Sequence, residues 1–237
     1  GVHPYSATLD RRARRFFYLQ KNALIEASVI GRRPKVLYRS TANWHPTGHL
    51  SLSSNEQFIA IVEMQSGHQV DDYKSQFEKR PRCRIQMIEI QKKKARTLTV
   101  EDHWLSHPRF RPHSTDLVYA HEGPWNEVDG RLRYISFDGT NKKNLRPRKG
   151  NEQIGHAYWS ATGQEIYYVF FPDTSGRRAE IRCMDLSTGA EKKVGRCSGF
   201  RWLSSNFNNS AIVNSSGLMP ERESARCTQM WLPTRRG

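Results

Sequence analysis

Three histidines and an arginine in the middle of this chain stand in settings that a plain surface segment does not require. They lie in His107-Pro108-Arg109-Phe110, His121-Glu122-Gly123-Pro124-Trp125, Val128-Asp129-Gly130-Arg131 and Gly155-His156-Ala157-Tyr158-Trp159. An unperturbed imidazole has a pKa of about 6.5, so a neutral histidine can accept a proton near pH 7. Arginine stays charged and meets a carboxylate with a two-pronged fork of N–H groups. Each position also has a plain structural reading. His156 can cap a strand end before Trp159, Arg131 can pair with Asp129 or Glu127, and His-Glu-Gly-Pro-Trp can be a turn packed for its own sake. The residue types alone leave these alternatives open.

The elements that would position these side chains are short strands. Arg15–Leu19, Lys35–Tyr38, Phe58–Val62, Arg84–Ile90, Asp116–Tyr119, Leu132–Ile135, Glu165–Val169 and Ala211–Val213 are rich in aromatic and β-branched residues. Each is bounded by Gly, Pro, Asn, Asp or Ser, which marks strands between turns. Helical periodicity is nowhere sustained, so the fold class expected is all-β. A repeat underlies the strands, running apolar residue, serine, turn, polar residue, strand. It occurs at Trp159-Ser160-Ala161-Thr162-Gly163-Gln164-Glu165-Ile166 and at Leu52-Ser53-Ser54-Asn55-Glu56-Gln57-Phe58-Ile59. It recurs at Phe110 to Leu117 and, more weakly, near Leu9 and Ser205. Spacings of roughly 40–60 residues match one four-stranded blade of a β-propeller, with a β-sandwich as the competing fold. Asp138-Gly139 and the Asp185 to Gly189 turn read as hairpin ends. The count is about four to five blades over residues 1–217, with an irregular or disordered tail over 218–237.

The composition is that of a folded domain, with 36% hydrophobic residues in a chain of 237. No apolar run approaches the ~20 residues of a membrane helix, so no membrane role is expected. The start at Gly1 shows neither an initiator Met nor an apolar signal core, which leads to the expectation of a partial sequence and a cytoplasmic protein. Cys83, Cys183, Cys197 and Cys227 form no C-x-x-C pair and read as reduced thiols. Lys and Arg number 38 against 23 Asp and Glu, a net charge of +15 that calls for an anionic partner. The basic runs lack interleaved aromatic stacking motifs, which argues against nucleic acid.

The stretch from His107 to Tyr168 resembles the central part of the oligogalacturonate lyases, β-propeller enzymes that cleave short pectin fragments by β-elimination. The resemblance implies a seven-bladed family fold, more blades than the count made here. It implies a reaction that removes the C5 proton of a uronate, alpha to its carboxylate. That chemistry needs a cation against the carboxylate and a base that is neutral near pH 7. By this resemblance His156 is the base and Arg131 holds the carboxylate. His121, Glu122, Trp125 and His107 are the substrate-binding candidates, with Trp125 stacking on a sugar face. Trp44 and His45 stand in a similar position between repeats.

The family is similar throughout in using a divalent cation, usually manganese, held by histidines and a glutamine. In this sequence Gly199 or Trp202 stands where one histidine is expected, and no histidine follows His156. No metal ligands are therefore assigned, and weak or absent manganese binding is expected. The partner implied is an acidic oligosaccharide. Two rivals are kept: a non-catalytic propeller binding acidic oligosaccharide, and a propeller scaffold binding protein or nucleic acid through a basic rim.

Overall fold

The computed structural model describes residues 7–10, 14–31, 33–67, 72–124, 127–173, 178–197, 202–205, 212–215 and 227–231. The chain divides into two compact units, Gly1–Pro124 with Leu132–Asn144, and Trp125–Arg131 with Leu145–Gly237.

The first unit holds three sheets. One is built from β1 (Ala7–Leu9), β2 (Arg15–Gln20), β3 (Ala23–Ser28) and β4 (Lys35–Arg39). The next is β5 (Trp44–Leu52), β6 (Phe58–Gln65), β7 (Cys83–Glu89) and β8 (Lys94–Glu101), with a six-residue helix α1 (Tyr73–Glu78) between β6 and β7. The third is β9 (Leu105–Phe110), β10 (Leu117–His121), β11 (Leu132–Ile135) and β12 (Lys142–Asn144). In the second unit β13 (Gln153–Trp159), β14 (Glu165–Phe171), β15 (Ala179–Asp185) and β16 (Glu191–Cys197) form a four-stranded sheet. A three-stranded sheet follows, β17 (Trp202–Ser205), β18 (Ile212–Ser215) and β19 (Cys227–Trp231). All strands pair antiparallel with their neighbours in sequence, which is the topology of propeller blades.

The short helix departs from the all-strand pattern. Its start is a local effect, because the Asp72 carboxylate accepts the Ser75 N–H at 2.9 Å as an N-cap. Strand β19 falls within 218–237, where an irregular chain was expected, and pairs Ile212 with Trp231 and Val213 with Met230. Cys227-Thr228-Gln229-Met230-Trp231 has no alternation of apolar and polar residues that marks a strand, so pairing with β18 decides it.

The serine repeat is a real turn. Ser53 N donates to Phe58 O at 2.9 Å, while the Ser53 hydroxyl accepts Phe58 N at 3.0 Å. Ser160 makes the same pair with Glu165, at 2.8 and 3.1 Å. Asp10 replaces serine in the first sheet, its carboxylate accepting Arg14 N at 2.8 Å and Arg15 N at 3.2 Å. Arg111 N closes the equivalent turn on Asp116 O at 2.8 Å. The turn joins the first strand of each of these sheets to the second. The segment after Ser205 lies outside the described residues.

The core of the first unit is organised around β6, which is buried on both faces. Ala60, Val62 and Met64 pack with Leu105, Leu117 and Tyr119, and Ile59 and Ile61 pack with Phe17, Leu24 and Leu37. Period-2 alternation thus serves two neighbouring sheets from one strand. In the second unit Tyr167, Val169 and Phe171 of β14 form a layer with Ala179, Ile181 and Cys183 of β15. The Glu63 carboxylate is fully buried in the first unit, held by Arg84 Nε at 2.6 Å and the Tyr38 hydroxyl at 3.0 Å. A buried charge is tolerated only when it is paired and hydrogen-bonded in this way.

Candidate functional site

In the second unit His156 lies on β13, where the ladder with β14 breaks register. Ile154 pairs with Phe170 and Ala157 with Tyr168, so Gly155 and His156 together oppose Val169 alone. This two-for-one arrangement is a β-bulge, which kinks a strand and re-aims its side chains. Glycine beside the histidine suits the kink. The half-buried His156 ring lies 6.5 Å from the Tyr158 ring at an angle of 30°, and Tyr158 stacks on Tyr167 at 5.4 Å.

Arg131 sits at the bend that leads into β11, half-buried, at the end of the 127–131 loop. It lines a small cleft with Val128, Gly130, Arg146, Arg148 and Glu152. Arg146 is the structural member of that group, only 7% exposed. It forks onto Glu152 at 2.7 and 3.0 Å, reaches Glu191 at 2.8 Å, and lies 5.0 Å over the Phe170 ring. Burial alone would push the Glu152 carboxyl up, but Arg146 and the Lys149 N–H outweigh it and hold it below the ordinary value. Arg148 braces the loop, its backbone N–H donating to Asp129 O at 2.6 Å and its Nε to Val128 O at 3.0 Å.

In the first unit the structure brings His107, His121 and Glu122 to one end of the β9–β10 pair. His107 stands in a second bulge, where His107 and Pro108 oppose Tyr119 between the pairs Ser106–Ala120 and Arg109–Val118. Its φ of 47° is a left-handed conformation that non-glycine residues seldom adopt. His107 Nε2 lies 3.3 Å from Glu122 Oε1, and its ring meets His49 edge-on at 3.9 Å. Glu122 is 5% exposed and also accepts from the Ser106 hydroxyl and, at 3.3 Å, from Tyr73. His121 ends β10, its ring 3.9 Å from His103, with Arg133 3.5 Å from its Nδ1. His103 in turn lies 2.8 Å from Glu101. Burial raises the Glu101 pKa, but hydrogen bonds from His103 and Tyr119 and the charge of Lys142 bring it down to about 2. Trp125 lies outside the described residues.

His49, His103, Glu101 and Tyr73 were not singled out in the sequence. A signal for His49 existed, because Pro46, Thr47 and Gly48 precede it on β5. That strand has its own register break, with Thr47, Gly48 and His49 facing Val62 between the pairs Pro46–Glu63 and Leu50–Ile61. Tyr73 enters through α1, which no strand pattern would place.

Among the described residues no three His, Cys, Asp or Glu side chains are placed to hold a metal ion. The histidines pair with one another, edge-on for His49 and His107 and tilted for His103 and His121, or with a single carboxylate. The described donor set does not fit the ion, so the chemistry open to this chain's described residues is that of imidazole, guanidinium and carboxylate. Gly199 lies outside them, and of Trp202 the backbone alone is described.

A family model described as oligogalacturonate lyase matches residues 9–221. The oligogalacturonide lyase of Pectobacterium atrosepticum is 30% identical over 142 residues, covering 59% of this chain and 36% of that protein. The oligogalacturonate lyase of Dickeya dadantii is 30% identical over 134 residues, 56% of this chain and 34% of that protein. The matches thus span about a third of the length of these curated relatives. Among solved structures, an oligogalacturonate lyase in complex with manganese superposes with a TM-score of 0.86 at 22% identity, covering 92% of this chain and 59% of that one. The Vibrio parahaemolyticus oligogalacturonate lyase gives 0.84 at 21% identity, with 93% and 60% covered. These likenesses show the propeller fold.

Proposed function

We propose that this chain, which belongs to the oligogalacturonate lyase family, takes part in β-elimination of short oligogalacturonides derived from pectin. In this reading the imidazole of His156 removes the C5 proton of a uronate. The C5–H electron pair forms the C4–C5 double bond, and the C4–O bond breaks, its electrons leaving on the oxygen, which takes a proton from solvent to become the hydroxyl of the departing sugar. Arg131 holds the carboxylate and offsets the charge that gathers on it as the proton leaves. His107, His121, Glu122 and Trp125 are assigned to substrate binding. The observation that carries the reading is the bulge at Gly155-His156, which turns a half-buried imbedded strand residue out of the regular ladder. The net charge of +15 suits a polyanionic substrate. Free, buried Cys83 and Cys183 support a cytoplasmic setting.

The test is incubation of the chain with trigalacturonate, with and without added manganese, while following ultraviolet absorbance of the unsaturated uronate. Appearance of that product supports the lyase. Binding without product favours the second reading, a non-catalytic propeller for acidic oligosaccharide, which the misfit between manganese and the described donor set supports. Neither binding nor product overturns both.

A further inference from the structure

We propose that Arg148 is the positioning residue for Arg131, fixing the loop that carries the carboxylate-holding guanidinium. The inference rests on the reading of Arg131 given above. Arg148 joins two stretches of chain that are far apart in sequence. Its Nε donates to Val128 O at 3.0 Å and its backbone N–H to Asp129 O at 2.6 Å, while Nη1 donates to Gly150 O. Val128 and Asp129 lie three and two residues before Arg131, and only Gly130 intervenes. Arg148 thus ties the backbone just before Arg131 to the 148–150 stretch through its side chain and its own amide.

The chemistry asks for arginine here. A planar guanidinium donates from Nε and Nη1 in fixed, divergent directions, so one group spans the carbonyls of Val128 and Gly150. Lysine keeps the charge but offers a compact ammonium on a flexible stem, which does not hold both in one plane. Arg146, two residues earlier, does a different job, since Glu152 and Glu191 meet its charge. The hydrogen-bond partners of Arg148 among the described residues are carbonyl oxygens. Arg148 and Arg131 line the same small cleft, together with Arg146 and Glu152.

The experiment measures trigalacturonate affinity by calorimetry and turnover for the wild type, Arg131→Lys, Arg148→Lys and the double variant. Arg148→Lys should lower turnover on the order of 10–100-fold, the scale of a misplaced catalytic group. The double variant should be no worse than Arg131→Lys alone, because a residue acting through another has nothing left to position. An unchanged Arg148→Lys, or losses that multiply in the double variant, overturns the proposal. Hydrogen exchange on the wild type gives a readout that needs no variant. Trigalacturonate should slow exchange in 127–131 and in the Arg148–Gly150 stretch together, and protection of one stretch without the other also overturns it. A wild type that neither binds nor cleaves trigalacturonate refutes the lyase reading itself, and with it this dependent role. A wild type that binds while Arg148→Lys binds and turns over equally refutes the role of Arg148 alone.

Discussion

His107 and His156 each stand where the first strand of a sheet carries one residue too many for its neighbour. His107 shares its bulge with Pro108 opposite Tyr119, and His156 shares its bulge with Gly155 opposite Val169. Both facing residues are at most 1% exposed, so the strand behind each bulge is anchored in the core while the bulge itself is displaced. The sheets thus spend ladder regularity at the positions that carry an imidazole.

His156→Ala should abolish most turnover while leaving affinity for trigalacturonate within a few-fold, because a positioned base contributes ~10²–10⁴-fold to rate and little to binding. Wild-type turnover should rise with pH through the histidine range as the ring becomes neutral. Steady-state kinetics across pH checks both, and an active variant with an unchanged profile would return His156 to a strand-capping role.

Arg131→Lys retains charge but loses the fork, so both affinity and turnover should fall, by roughly tenfold or more in the combined constant. A change confined to KM would mean that Arg131 binds the ground state and the transition state equally.

Binding of acidic oligosaccharide should weaken as salt is raised, since a chain of charge +15 meets a polyanion largely through screened attraction. Titrations from low to high ionic strength test this, and constant affinity speaks against an electrostatic partner.

Glu101 supplies a pH test of stability. Its folded-state pKa is depressed from 4.5 to about 2, so the contacts of its ionised carboxylate stabilise the fold above the ordinary value, and that stabilisation is lost as pH falls through the depressed one. Glu101→Gln should therefore cost about 2–3 kcal/mol at neutral pH, on the scale of the shift. The gap to wild type should close between about pH 4.5 and 2. Denaturant melts at several pH values would show it, and a gap independent of pH would assign the cost to packing.

Gly139 turns β11 into β12 with φ of 82°, and an added Cβ would lie 2.7 Å from the Leu98 carbonyl oxygen. Gly150 also has positive φ, at 56°, but nothing lies within 4 Å. Gly139→Ala should destabilise by about 2–4 kcal/mol, from backbone strain plus the clash, and Gly150→Ala by about 1 kcal/mol. Equal melting losses would show that the Leu98 strand simply yields.

The second strand of each sheet was legible in the sequence, with β4, β7 and β11 beside them. Phe58–Val62, Leu132–Ile135 and Glu165–Val169 are strands because aromatic and β-branched residues fill buried faces there. The first strands were not legible, because Pro46, Gly48, Pro108 and Gly155 read as turn residues and are in fact bulge residues. β3 was missed for another reason: Ala23-Leu24-Ile25-Glu26-Ala27-Ser28 has no alternation, being buried at four of its six positions. His107 and His121 stood out by type and setting. Their partners did not, because the contact of His107 with Glu122 depends on Ser106 pairing with Ala120. His49, Tyr73 and His103 join the group only through that kind of distant pairing.

The serine turn and the strictly sequential strand order have a kinetic side. Each ladder within a sheet joins a strand to the next one along the chain, and outside the β6–β7, β10–β11 and β18–β19 connections the loop to be closed is short. The Ser53 and Ser160 turns fasten the first such loop of their sheets with two hydrogen bonds between residues five apart. Contacts this local lower the entropic barrier to forming each sheet. A sheet can then begin to assemble as its residues leave the ribosome, strand after strand, before later ones have been synthesised.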